Sequence, residues 1–195
     1  MTAKDMRGFM GMMPAFTTPD GDSIDAIDTA ELKRAVDRII KDGINAIATT
    51  GSFGKFHTLL WEEHQKLIEA TVGAAKKRVP MIIGCTSLNS RETMRKMKFI
   101  NESGADGVLL GVPFYFSSTV DNAVQIFLDV ADAFPKLVIV IYHNPLLHNI
   151  TLPPEAFHKL VSKPNIVAMK DSHRDPMSFM NLQEVIRGKI SVFVN

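Results

Sequence analysis

Short apolar runs, separated by longer segments in which apolar residues recur every three or four positions, organise the chain. The runs are GFMGMMPAF (8–16), INAIATTG (44–51), PMIIGCT (80–86), GVLLGVP (107–113), LVIVIYHN (137–144), IVAMKDS (166–172) and ISVFVN (190–195). As a set they are rich in β-branched residues and bounded by turn formers, so seven strands are predicted. The intervening segments have helical period. Leu32, Ala35, Val36, Ile39 and Ile40 fall on one face, behind a capping-box pattern of Asp28 and Glu31, and Gly43 is placed to end that helix. Ser90 is placed to cap a helix carrying Met94, Met97 and Ile100 before Gly104. Val124, Phe127, Leu128 and Ala131 mark another stripe, as do Phe157 with Leu160, and Leu182 with Val185 and Ile186.

Strand and helix therefore alternate at roughly 25 to 35 residues per unit, and parallel neighbours are the arrangement that needs a crossover helix each time. KDGINAIATTG and ESGADGVLLGVP read as copies of one helix–Gly–strand junction. A doubly wound open sheet and a closed (β/α)8 barrel both satisfy this pattern. The barrel is favoured, because the units follow one another without a long crossover and no Gly-rich dinucleotide fingerprint follows the first strand. The expectation is an α/β fold of the TIM-barrel type, one domain over residues 1–195, truncated after its seventh strand and so incomplete at the C-terminus. Without an eighth βα unit, the first and seventh strands would carry unpaired edges.

Composition narrows the partners. The chain has 195 residues, 46% hydrophobic and 22% charged, with 22 basic against 21 acidic residues. The charges are interspersed, so no basic footprint for nucleic acid exists. No apolar run approaches the roughly 20 residues of a membrane span. The Met-rich N-terminus is broken by Pro14 and has no signal-peptide cleavage pattern, which makes the cytoplasm the expected location. Cys85 is the single cysteine. It lies in an apolar run and reads as a small core residue.

Lys170 is the residue that needs explaining, because it ends the apolar run IVAMKDS. An ammonium buried without compensation costs several kcal/mol or gives up its proton. In a barrel, alternate strand residues point inward, and Ile166, Ala168 and Lys170 share a parity, as do Val138, Val140 and Tyr142 on the preceding run. Adjacent strands lie about 4.8 Å apart, so an amine and a phenol could face one space at the C-terminal rim. Such a lysine can form a Schiff base with a ketone, and such a tyrosine can move the protons. Taken by itself, the residue is better explained as a strand-end lysine that snorkels to solvent. The turn GSFG carries Ser52 and Phe53 between Gly51 and Gly54, which suits either a carboxylate-binding nest or a plain turn. The other tyrosine, Tyr115, follows the fourth predicted strand.

Taken together and in this order, the GSFG turn followed by TLLWEE, then ESGADGVLLGVPFY, IYHNP and VAMKDS, make a specific set. The chain resembles the dihydrodipicolinate synthase and N-acetylneuraminate lyase family of Schiff-base aldolases, nearest the hydratase-aldolase branch. The resemblance implies that Lys170 is the Schiff-base lysine, that Tyr142 transfers protons, and that Ser52 and Phe53, framed by Gly51 and Gly54, hold a pyruvoyl carboxylate. It implies that Tyr115 reaches across a subunit interface and that Asn144 orients water or the substrate carbonyl, alongside the turn-initiating role that Asn-Pro also fits. It further implies a small 2-keto acid substrate, no organic cofactor and no metal, and a homotetramer built as a dimer of dimers.

The departures from that family matter as much. Leu147, followed by His148, stands where the synthases carry an arginine for a second carboxylate, which points to an aromatic or apolar aldehyde partner. Lys55 replaces a glutamate after the Gly turn. His57, His143 and His173 do not have the spacing of a metal cluster. The expected function is a class I carbon–carbon lyase or aldolase acting on a pyruvate-type 2-keto acid. A dihydrodipicolinate synthase-like or sugar-acid enzyme, a non-catalytic 2-keto acid binder and a nucleotide-binding open sheet are the alternatives.

Overall fold

The computed structural model describes residues 1–19 and 26–194; Asn195, the last residue of the predicted seventh strand, lies outside them. The elements in chain order are β1 (Met10–Met12), α1 (Thr29–Lys41), β2 (Ala46–Thr49), α2 (Trp61–Ala75), β3 (Met81–Gly84), α3 (Ser90–Ser103), β4 (Gly107–Leu110), α4 (Val120–Ala133), β5 (Val138–His143), α5 (Pro145–His148), α6 (Pro154–Leu160), β6 (Ile166–Asp171), α7 (Pro176–Ile186) and β7 (Ser191–Val194). All seven predicted strands form. They pair in parallel and in sequence order, β1 to β7, and wrap into a nearly closed barrel with the helices outside.

The pleat sorts the apolar residues into two cores. Ile47, Ile83, Val108, Ile139, Ile141 and Met169 face outward and pack against helix residues such as Leu32, Val36, Leu67, Met97 and Phe127. Ala48, Ile82, Leu109, Val138, Val140, Tyr142 and Ala168 face inward, where Met6 and Phe193 join them. The central strands are buried throughout, whereas β1 and β7 are largely half-buried. Ser191 Oγ donates to the Ala3 carbonyl at 2.5 Å, tying the segment ahead of β1 to the start of β7.

Two expectations need correction. Ile139 pairs with Ile166, but the next residue, Val140, pairs with Ala168, so β6 carries one extra residue at a bulge. The bulge breaks the alternation, and Ile166 packs in the outer core rather than sharing a face with Lys170. Only Ala168 and Lys170 keep the inward parity. The second concerns α3, where Asn89 and not Ser90 is the N-cap. Asn89 is extended, and its side chain accepts from the Glu92 N–H at 2.9 Å, which leaves Ser90 as the first helical residue. The Asp28 cap of α1 forms as expected, accepting from the Glu31 N–H at 2.9 Å.

Cys85 is fully buried and burial pushes its thiol up to about 12, the behaviour of a core residue. His64 on α2 is also buried, its ring stacked on Trp61 with centroids 5.9 Å apart. Burial, with the Lys96 charge adding to it, pushes the imidazole pKa down to about 3. Among the described residues neither ring nitrogen makes a hydrogen bond of regular geometry, and the nearby Gly84 backbone offsets the fall only in part. The folded state thus refuses a proton that the unfolded chain takes up near pH 6.5. Stability from this group is complete above pH 6.5 and is lost as pH falls toward 3, by about 2 kcal/mol at pH 5. Denaturant titration across pH should trace that limb. His64→Phe, which keeps the stack and removes the titration, should flatten it.

Candidate active site

The parallel register pairs Tyr142 directly with Lys170. The Lys170 ammonium nitrogen lies 4.8 Å from the centroid of the Tyr142 ring. Both side chains line an open cavity of about 540 Å³ at the C-terminal ends of the strands, together with Met12, Ser52 and Phe53. Lys170 does not snorkel away: it is only 9% exposed. Burial lowers its pKa from the ordinary lysine value, and the neighbouring Tyr142 and Asp171 pull part of the way back.

The turn after β2 delivers Ser52. Thr50 ahead of it has φ of 52°, a left-handed conformation that a β-branched residue adopts only where its surroundings enforce it. Its hydroxyl lies 2.8 Å from its neighbour's carbonyl at Thr49 and 2.9 Å from that of Gly84. Gly54 lies against this kink. A Cβ at residue 54 would come within 2.6 Å of the Thr50 backbone nitrogen, so the turn closes only around glycine. Gly51 faces inward instead, toward Met12 and Leu109. Ser52 Oγ then sits 3.3 Å from the Tyr142 hydroxyl. Phe53 is exposed at the cavity mouth.

Asn144 fills two roles at once. Its Nδ2 donates to the Tyr142 hydroxyl at 3.1 Å, while its Oδ1 accepts from the Leu147 N–H at 3.2 Å and caps α5. Of the predicted residues, Lys170, Tyr142, Ser52, Phe53 and Asn144 therefore meet around one space. Tyr115 does not join them within the chain. It is 70% exposed, stacked edge-on with Phe116, and lines a separate surface depression with Leu88 and Pro113.

A buried network that the sequence spacing concealed lies on the other face of β6. His143, Asp171 and His173 bring their ligand-type atoms within 4.8 Å of one another. His143 Nδ1 is 2.9 Å from Asp171 Oδ1, and the Leu152 N–H donates to His143 Nε2 at 3.2 Å. A backbone donor on Nε2 puts the ring proton on Nδ1, so both nitrogens are committed and the ring is not free to ligate a metal. Burial by itself would raise the Asp171 pKa, but hydrogen bonds with His143 and His173 hold it below the usual carboxylate value. The network fixes the end of β6, one residue beyond Lys170.

The dihydrodipicolinate synthetase family model matches residues 8–194. The chain belongs to that family. It is 35% identical over 173 residues to the trans-O-hydroxybenzylidenepyruvate hydratase-aldolase of Pseudomonas aeruginosa, covering 87% of this chain and 52% of that protein. The structure of PhdJ bound to a substrate intermediate superposes on all of this chain with a TM-score of 0.95 and 27% identity, over 61% of its own length. The chloride-inhibited dihydrodipicolinate synthase from Acinetobacter baumannii complexed with pyruvate matches 97% of this chain and 64% of its own, with a TM-score of 0.89 and 28% identity. The chain thus spans about half the length of the curated relatives it matches. Lys55 and Leu147 are both exposed in this chain.

The double duty of Asn144 is separable. Asn144→Asp keeps the cap and loses the donor to Tyr142, so thermal unfolding should stay within about 0.5 kcal/mol of the parent, whereas Asn144→Ala should lose about 1 kcal/mol.

Proposed function

We propose that the protein is a Schiff-base lyase or aldolase acting on a pyruvate-type 2-keto acid with an aromatic or apolar aldehyde partner. The observation that carries this reading is the buried Lys170 amine beside the Tyr142 phenol, with Ser52 across the same cavity. The relationship to a hydratase-aldolase and to a synthase complexed with pyruvate supports the substrate class.

The uncharged Lys170 amine attacks the ketone carbon, and the carbonyl oxygen takes up a proton to give a carbinolamine. Loss of that oxygen as water leaves a protonated imine. In cleavage, the electron pair of the breaking carbon–carbon bond flows into the imine and yields an enamine, as the departing half becomes an aldehyde and its hydroxyl proton leaves. Protonation of the enamine carbon and hydrolysis by one water release pyruvate and restore the amine. Tyr142 carries the protons, since its hydroxyl is oriented by Asn144 and in contact with Ser52. The Ser52 and Phe53 turn holds the carboxylate, and Lys170 supplies an amine at lower pH than an ordinary lysine does. The unit is one barrel domain, and the exposed Tyr115 and Phe116 surface suits contact with a second copy in a homo-oligomer.

Borohydride reduction in the presence of pyruvate should leave a stable adduct on Lys170, read by mass spectrometry, and none in Lys170→Ala. A folded parent protein that stays unmodified excludes the covalent mechanism. The rate of trapping should rise with pH and level off below 10.5, the ordinary value for lysine. Tyr142→Phe should slow turnover by about a hundredfold or more with little change in unfolding temperature.

A further inference from the structure

A second cavity opens beside the first. Ser52 lines both, and the second is a slot of about 260 Å³ walled by Phe56, His57, Phe114, Leu147 and His148. Phe56 and Phe114 meet edge to face there, with centroids 5.8 Å apart. A cavity of about 150 Å³ is known to accept benzene, so the slot has room for one substituted benzene ring.

His148 is the buried polar group of this slot, at 4% exposure. Its ring stands edge-on to Tyr142, with centroids 5.0 Å apart, so it joins the slot to the side chain that faces Lys170. The seat is built into the sequence at Gly111. A Cβ at residue 111 would lie 2.5 Å from His148 Cε1 and 2.6 Å from Nε2, so any larger residue would evict the imidazole. Among the described residues the ring nitrogens have no hydrogen-bond partner. Burial, with the nearby His143 adding to it, pushes the pKa down to about 4. At neutral pH one nitrogen therefore donates and the other accepts.

Resting on the aldolase reading above, we propose that this slot seats the aromatic ring of the aldehyde half, and that His148 is a specificity-determining residue that hydrogen-bonds an uncharged polar substituent on that ring, such as a phenolic hydroxyl. A ring bearing a carboxylate is disfavoured. It would enter a slot in which Leu147 is apolar and the imidazole carries no charge, and a carboxylate desolvated without a cation is penalised heavily. Lys96 lies behind the wall, 5.9 Å from the Phe56 centroid, and does not line the slot.

The test measures kcat/KM for aldol addition of pyruvate to benzaldehyde, 2-hydroxybenzaldehyde and 2-carboxybenzaldehyde, using the full-length protein, with borohydride trapping of pyruvate run in parallel. The parent should prefer the hydroxy over the unsubstituted aldehyde by about tenfold, and the carboxy compound should be the poorest. His148→Phe should bring the hydroxy preference to about one while trapping pyruvate on Lys170 as the parent does, and His148→Gln should restore part of the preference. A parent without the hydroxy preference, a carboxy compound that reacts best, or a preference unchanged in His148→Phe overturns the role of His148. Normal trapping alongside any of these leaves the aldolase reading standing, whereas a parent that traps no pyruvate removes both. The parent's own preference decides the matter even if His148→Phe does not fold.

Discussion

The candidate site depends on one register: Tyr142 opposite Lys170 on adjacent parallel strands. Neighbouring strands are fixed about 4.8 Å apart by their hydrogen bonds, so two inward residues at the same height have no freedom to separate. A slip of one residue would send every side chain of a strand to the opposite face. The bulge in β6 makes this constraint concrete. It absorbs Val167 low in the strand, so that Ala168 and Lys170 arrive at the rim facing inward, in step with Val140 and Tyr142.

The two faces of the β6 end then divide the electrostatic work. On the inner face, Lys170 is held in a partly dry cavity that disfavours its charge. One residue on, Asp171 points the other way, into a hydrogen-bonded pair of histidines. The carboxylate favours the charged lysine but offsets burial only in part, because burial is the larger effect on Lys170. A carboxylate on the inner face would instead form a direct ion pair with the amine and keep it protonated. The alternation of the strand therefore puts the acid near enough to anchor β6, with its hydrogen bonds spent elsewhere.

Much of this was legible in the sequence, for physical reasons. Seven apolar runs with helices between them leave little choice but a parallel sheet, and the strand-end position of Lys170 and Tyr142 follows from counting. Local interactions were less visible. Asn89 and Ser90 are both good caps, and nothing in their order says which one ends outside the helix. The bulge at Val167 has no glycine to announce it. His143, Asp171 and His173 gather only because β5 and β6 end side by side, so their spacing along the chain carries no trace of the cluster. Gly111 sits in the run GVLLGVP with nothing in the sequence to mark it as the seat of His148. Tyr115, carried over from the family resemblance, lies outside the cavity of its own chain.

Under the proposed aldolase reading, the same division would let the site keep one chemistry while its partner changes. The amine and phenol sit on strands, where the register fixes them, and rigid elements hold reacting groups to the tolerance that covalent chemistry requires. Leu147 and His148 sit on α5, a single turn of helix after β5, started by the Asn144 cap. A turn of this kind can change its side chains without moving a strand, and Leu147 there presents an apolar wall rather than a charge. Asn144 links the two parts, since one amide both starts the turn and orients the phenol. Under the proposed reading, the turn beyond Asn144 is where one wall of the slot can change without disturbing a strand, while Ser52, Phe56, His57 and Phe114 form the rest of it.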